Sequence, residues 1–364
     1  MSAGRSLISP TSNPLLEQAL HEKLRRRSEA AGSLGELEPL AIRIGLMQGS
    51  LKPRLVDPQV LLFAADHGLV VDGLVETPRY TTREQVLQLL SGRLPVSVFA
   101  GVQGMQLALV DAGVADNLRP HDQLLLRKIA YGTRHPRVGS AMTVEQAHAA
   151  IRAGMEIGDA LPGNAVACAG LGVGSNESAA LVLARLTELP LHEFLGVDAL
   201  PSTAHGMHLL QGAQAAMARH RELTDPVEVV AAFGGFETAM MVGLMLVAAS
   251  RRRLIMVDGM AACAALLVAS RIAAPVIDYC VFCRSHTHPG LDRALEMFRA
   301  SALLELGLQS VDGTGATLAW PLVRTAAALL TEVAEGEDAG PTRPSGMAPG
   351  DFGVTFSRAT DLPL

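Results

Sequence analysis

Short aliphatic runs that end in glycine, usually with an acid beside it, recur along this 364-residue chain. Val60–Ala65 enters Asp66-His67-Gly68, Gln106–Val110 enters Asp111-Ala112-Gly113, Ala165–Ala169 enters Gly170-Leu171-Gly172, and Leu254–Val257 enters Asp258-Gly259. Segments with helical patterning lie between or after them: Thr82–Leu90, Val144–Leu161 with Thr143 as its cap, Ala179–Leu186, Thr238–Ser250 and Met260–Arg271. Neighbouring parallel strands need a long crossover, and a helix is the usual one. The strand-like runs are continuously apolar rather than alternating, as strands covered on both faces are. The chain is therefore expected to be an α/β protein, a parallel sheet flanked by helices in a Rossmann-like large domain.

Ligands of open parallel sheets gather beyond the carboxyl ends of the strands, so the acid–glycine endings mark where a site belongs. Two endings carry richer glycine loops. Gly170-Leu171-Gly172-Val173-Gly174-Ser175-Asn176-Glu177-Ser178 precedes an apolar helix. Val311-Asp312-Gly313-Thr314-Gly315-Ala316, expected to close a further strand-like run, precedes Thr317–Leu330. Glycines let backbone N–H groups approach an anion, and the following helix adds the positive end of its dipole. The sequence thus offers two phosphate-type loops, Gly172, Gly174, Ser175 and Asn176 in one and Gly313, Thr314 and Gly315 in the other, with Asp312 as an adjacent acid or base. Val227–Phe233 reads as strand or helix, Glu193–Thr203 as irregular, and Val276–Cys283 as a strand.

Hydrophobic residues make up 49% and charged residues 18%, which suits a large globular core. The net charge of −6 without a basic patch argues against nucleic acid as a partner. No run supplies the roughly 20 apolar residues of a membrane span, and a cytoplasmic protein is expected. Cys168, Cys263, Cys280 and Cys283 read as reduced, buried thiols; Cys280 and Cys283 have CxxC spacing but no second pair. His286 and His288 share a Pro-Gly turn with no third ligand evident, so neither metal nor cofactor is expected.

The chain resembles the nicotinate-nucleotide:dimethylbenzimidazole phosphoribosyltransferases. The resemblance rests on six ordered stretches: Phe63-Ala64-Ala65-Asp66-His67-Gly68, Val110-Asp111-Ala112-Gly113-Val114, Gly139-Ser140-Ala141-Met142-Thr143, Gly234-Gly235-Phe236-Glu237, Asp258-Gly259, and Leu303–Pro321. It implies a large α/β domain over 53–300 and a smaller helical domain from both chain ends, residues 1–52 and 301–333, before a flexible tail, 334–364. It also implies a homodimer, and transfer of phosphoribose from nicotinate mononucleotide or a related nucleotide to an aromatic base, giving an α-ribotide used as a cobamide lower ligand. Asp312 would be the base that takes the acceptor's proton. Asp66, His67, Gln85, Glu177, Glu237, Asp258 and His286 are candidates for the base pocket.

The departures are specific. Asp312 stands where the family carries a catalytic glutamate, one methylene longer. Gly170 stands where it carries a second glutamate, for which Glu177 is the nearby substitute, and Gly206–His220 lacks the family's lysine. These departures keep a second reading open: a catalytically weak relative that binds a nucleotide, or joins a related subunit in a heteromer.

Overall fold

In the computed structural model, the described residues are 8–333, apart from Asp72 and residues 76–78. The expected tail, 334–364, lies outside them. Among the described residues, helices α1 (Pro14–Ala31) and α2 (Leu37–Gln48) precede β1 (Gln59–Ala65), α3 (Thr82–Leu90), α4 (Pro95–Val102), β2 (Gln106–Gly113) and β3 (Leu124–Leu126). Then come α5 (Val144–Ala160), β4 (Ala165–Leu171), α6 (Ser175–Thr187), α7 (Leu191–Leu195), α8 (Ala204–Arg219), α9 (Pro226–Phe233) and α10 (Phe236–Ser250). The order closes with β5 (Leu254–Asp258), α11 (Met260–Ile272), β6 (Cys280–Cys283), α12 (Pro289–Met297) and α13 (Thr314–Thr331).

The six strands form one sheet in the order β3-β2-β1-β4-β5-β6, and every pairing is parallel. Chain direction across the sheet reverses between β1 and β4. That is the switch point of a doubly wound sheet, where the loops after two adjacent strands part and leave a crevice. Every residue of β1, β4, β5 and β6 is buried, so helices cover both faces, as the unbroken apolar runs predict.

One helix crossing is unusually close. Helix α10 lies across β1, β2, β4 and β5 and packs on α5. A Cβ added at Gly154 of α5 would come 1.8 Å from the Met240 carbonyl oxygen, and one at Gly243 of α10 would come 1.9 Å from that of Ile151. Each helix therefore needs glycine where the other's backbone passes. Thr143 caps α5 as expected: its hydroxyl accepts from Gln146 N at 3.1 Å, and the Gln146 side chain accepts from Thr143 N at 2.9 Å.

Helices from the two chain ends meet. α13 packs on α2, α1 and α4 as well as on β5 and β6, and Arg27 of α1 donates to the Leu329 carbonyl of α13. The N-terminal segment is tied to the loop before β6, where Tyr279 Oη donates to Ser9 O at 2.7 Å and Thr11 N donates to Asp278 Oδ2 at 3.0 Å.

One open local reading is decided and three expectations change. Val227–Phe233 falls within helix α9, which Asp225 caps through Val227 N and Glu228 N. Leu191–Leu195 is a short helix where Glu193–Thr203 reads as irregular. Ala274–Tyr279 is a 3-10 helix, so the strand expected from Val276 begins only at Cys280. No strand leads into Val311; that segment meets the sheet edge only through isolated bridges, Phe282 to Ala302 and His286 to Gln309. Its residues are half-buried or exposed, so a short apolar run there lacks the second face that makes a strand worth forming.

The α5–α10 crossing predicts opposite results at two helical glycines. Gly154→Ala should lower unfolding free energy by about 1–3 kcal/mol or more through overpacking against fixed backbone. Gly101→Ala, where an added Cβ meets nothing within 4 Å, should raise it by a few tenths to about 1 kcal/mol through helix propensity. Denaturant midpoints of the two variants check this.

Candidate active site

A cleft of about 310 Å³ opens at the carboxyl end of β4. Its walls are Gly170–Glu177, Gln85 of α3, Val75, and on the far side His286, Ser310, Val311 and Asp312. It lies beside the β1–β4 switch point, and its size is at the lower end of small-molecule sites. Of the residues singled out in the sequence, Gln85, Gly172, Gly174, Ser175, Asn176, Glu177, His286 and Asp312 come together here. Val75, Ser310 and Val311 join them without a sequence signal beyond proximity to a marked neighbour.

The two glycine loops are not equivalent. The first carries α6 onto the cleft: Gly174 has φ +86°, and Ser178 N donates back to Gly174 O at 3.0 Å. Thr82 Oγ1 of α3 accepts from Val173 N at 3.1 Å and pins the loop's middle. In the second, Gly313 N and Ala316 N both donate to Asp258 Oδ2, at 3.0 and 2.9 Å, and Gly315 N donates to Ser285 Oγ at 2.7 Å. Thr314 N donates to Val311 O and Thr317 N to Gly313 O. The first turn of α13 thus spends its donors on a buried carboxylate and a hydroxyl. In this structure the N–H groups of Gly313, Gly315 and Ala316 bind Asp258 and Ser285, and the turn they form holds Asp312.

Four base-pocket candidates are not among the residues that line the cleft. Asp66 Oδ2 accepts from Ala115 N at 2.7 Å and fastens the ends of β1 and β2. His67 and Glu237 form a buried pair, Nε2 to Oε1 at 3.2 Å, with side chains 1% and 0% exposed. Glu237 Oε1 also accepts from Ser175 Oγ and Thr238 Oγ1, each at 3.2 Å. Burial disfavours both charges, but each partner outweighs it: the His67 imidazole titrates above its ordinary value and the Glu237 carboxyl below. Asp258 is the fourth. Its sequence position at a strand end is right for a site, but its side chain turns under the C-terminal loop.

Asp258 behaves oppositely to Glu237. Burial, and then the charge of Asp312, push it from 3.8 up to about 7, against hydrogen bonds from Ser285 and Ala316. Gly259 explains the close approach of the two acids. It has φ +91°, and a Cβ there would lie 1.8 Å from Asp312 Oδ2, so only glycine admits the Asp312 carboxylate. Asp312 Oδ1 lies 2.9 Å from His286 Nδ1.

Position 170 has no room for a side chain as the loop stands. An added Cβ would sit 2.7 Å from Ala261 Cβ and 3.8 Å from Glu237 Cγ. Glu177 does reach the cleft wall. The cysteines are all buried and unpaired by disulfides; burial pushes Cys280 up to about 12 and the others upward too, so they remain thiols. Among the described residues no group of three His, Cys, Asp or Glu side chains is placed to hold a metal, and no helix is long and apolar enough to cross a membrane.

A doubly wound sheet with a glycine-rich strand-to-helix loop facing a carboxylate at the switch point defines the class of α/β proteins built to handle phosphorylated small molecules. A phosphoribosyltransferase family profile matches residues 9–340. A curated nicotinate-nucleotide–dimethylbenzimidazole phosphoribosyltransferase of Cupriavidus taiwanensis is 40% identical over 330 residues, 90% of this chain and 94% of that one. Its counterpart from Janthinobacterium sp. is 35% identical over 335 residues, 91% and 97% of the two chains. A crystal structure of the Thermus thermophilus enzyme of that name superposes with a TM-score of 0.82 at 31% identity, covering 90% of this chain and 99% of that one. The chain belongs to the nicotinate-nucleotide–dimethylbenzimidazole phosphoribosyltransferase family.

The upward shift of Asp258 has a signed consequence for stability. Below its ordinary 3.8 the group is protonated whether folded or not. Between there and about 7 the folded state keeps a proton that the unfolded state has lost, so stability falls as pH rises through that window and levels off above it. Asp258→Asn, which does not titrate and retains an acceptor oxygen, should therefore gain melting temperature relative to wild type as pH goes from about 4 to about 7. A difference independent of pH would show that Asp258 ionises normally in the fold.

Proposed function

We propose that this protein transfers phosphoribose from nicotinate mononucleotide, or a closely related nucleotide, to a ring nitrogen of an aromatic base in the cleft between the first glycine loop and Asp312. The observation that carries this reading is the shared wall: one cleft presents the start of helix α6 on one side and the Asp312 corner on the other. Family membership supplies the reaction class, because the relatives named above are phosphoribosyltransferases acting on nicotinate nucleotide and dimethylbenzimidazole.

Each wall suits one part of the chemistry. The nucleotide phosphate is matched by the helix dipole and the N–H groups at the start of α6, where Ser175 N also reaches Gly172 O at 3.3 Å. As the bond from C1′ to nicotinate lengthens, positive charge builds on the ribose, and the carboxylates of the cleft, Glu177 and Asp312, favour it. The electron pair of that bond leaves with the nicotinate ring nitrogen. One nitrogen of the incoming base attacks C1′, and its other nitrogen gives up its proton to the Asp312 corner. Gln85, an amide on the cleft wall whose Nε2 donates to Tyr80 O at 3.2 Å, suits contact with a base edge. The product is an α-ribotide phosphate, which the family reading connects with cobamide lower ligands.

Glycine at position 170, with no room for a side chain, gives the second reading, a binding or regulatory subunit, a specific observation of its own. One assay separates the two. Purified protein is incubated with nicotinate mononucleotide and a panel of benzimidazoles, purines and phenols, beside Asp312→Ala, with product read by chromatography and mass spectrometry. A ribotide is expected from wild type, with rate reduced by about a hundredfold or more in the variant. No product from any base, with nucleotide binding equal in both proteins by calorimetry, would leave the subunit reading.

A further inference from the structure

His286 and Asp312 form a close pair on the far wall of the cleft, which both residues line. His286 Nδ1 is 2.9 Å from Asp312 Oδ1, and their side chains are 17% and 10% exposed. Asp312 Oδ2 lies against Gly259, close enough that a Cβ there would overlap it. One oxygen of Asp312 thus lies beside the imidazole and the other beside the Gly259 backbone. At the opposite edge of the ring, His286 Nε2 is buried with no hydrogen-bond partner, in a residue that lines the cleft. A carboxylate only accepts, so the ring proton belongs on Nδ1 and the lone pair on Nε2.

The backbone fixes this ring. His286 bridges to Gln309 across the sheet edge, and Ser310 N donates to Ser285 O at 2.9 Å. The turn after β6 and the segment before α13 are therefore held side by side, three residues from Asp312. An imidazole on the wall of a substrate-sized cleft, with an acid beside one nitrogen and no partner on the other, is the arrangement of a base with its orienting carboxylate.

Resting on the transferase reading above, we propose that His286 Nε2 is the general base that accepts the acceptor's N–H proton, and that Asp312 is the positioning residue that fixes and charges the ring. As one nitrogen of the aromatic base bonds to C1′, the other loses its proton to Nε2. The C1′–N bond to nicotinate breaks with its electron pair on nicotinate, whose ring returns from pyridinium to neutral pyridine. The imidazolium formed is paired with the Asp312 carboxylate and returns its proton to water after product leaves. This arrangement also accounts for an aspartate at position 312: it needs to reach only the imidazole, and the ring spans the remaining distance.

The groups facing the ring are Asp312, Asp258 at the end of β5, Arg284 on its own turn, and His288, whose ring centroid is 6.1 Å away. Burial draws the His286 pKa down, but the contact with Asp312 and the charges of Asp312 and Asp258 outweigh it and the opposing Arg284, so it stands above the ordinary 6.5. His288 is drawn below that value. A base of this kind is ready only when deprotonated, so kcat/KM should rise with pH along an acid limb lying above 6.5. A lone carboxylate base would place that limb near about 4.

The test is the pH profile of kcat/KM for wild type, His286→Gln, His286→Ala and Asp258→Asn, using nicotinate mononucleotide and the best acceptor from the panel. Wild type is expected to show the limb above 6.5. His286→Gln should lose it, with kcat/KM reduced by about a hundredfold or more. In Asp258→Asn the limb should persist at lower pH, excluding Asp258 as its source. Added imidazole should restore part of the His286→Ala activity, which a packing role for the side chain would not allow. A wild-type limb in the carboxylate range overturns the proposal without any variant, as does activity within roughly threefold of wild type in His286→Gln. A wild type inert with every base sinks the transferase reading itself, and this proposal with it.

Discussion

Asp258 Oδ2 accepts three hydrogen bonds, from Ser285 Oγ at 2.8 Å and from the backbone of Gly313 and Ala316. Through that one oxygen the end of β5, the turn after β6 and the start of α13 become a single unit. Everything on the far wall of the cleft hangs from it: His286 follows Ser285, and Asp312 precedes Gly313. A carboxylate at a helix start accepts orphan N–H groups and meets the positive end of the dipole, as Asp258 does for α13. Removing it would leave donors in the protein interior unpaired.

The near wall has its own buried carboxylate, with the opposite electrostatics. Glu237 sits under the first glycine loop against His67, whose charge when protonated offsets its desolvation, and its pKa falls. Asp258 has another acid as its neighbour, and its pKa rises. A buried charge persists only when paired, so the near wall is pinned by an ion pair and the far wall is sensitive to pH. The histidine that compensates acid on the far wall is His286, which pairs with Asp312 rather than with Asp258. That choice puts an imidazole of the cleft wall next to the carboxylate at position 312.

Much of the fold was legible because its signal is periodic and local. Continuous apolar runs closed by glycine mark buried parallel strands, and Thr143 followed by Gln146 marks a helix start; both patterns survive in the structure. The failures fall where local pattern is ambiguous. Val227–Phe233 is apolar enough for either state, and the Asp225-Pro226 cap makes it a helix. The run before Val311 is apolar enough for a strand but finds no partner along its length.

The site shows the same division. Sequence alone determined which endings of the sheet carry acids and glycines, and therefore that a cleft with a glycine loop and a carboxylate belongs at the carboxyl ends of β1, β4 and β5. It also determined the departures, glycine at 170 and aspartate at 312, because these are matters of residue identity. Only the tertiary structure decided which acids face the cleft. Asp66, Glu237 and Asp258 share a strand-end or helix-start position with no local mark of direction; donors from elements far away in the chain hold all three, and Glu237 and Asp258 are fully buried. Only the folded chain sets His286 against Asp312, because their separation along the sequence carries no period and their contact is made by the sheet edge and the buried Asp258 between them.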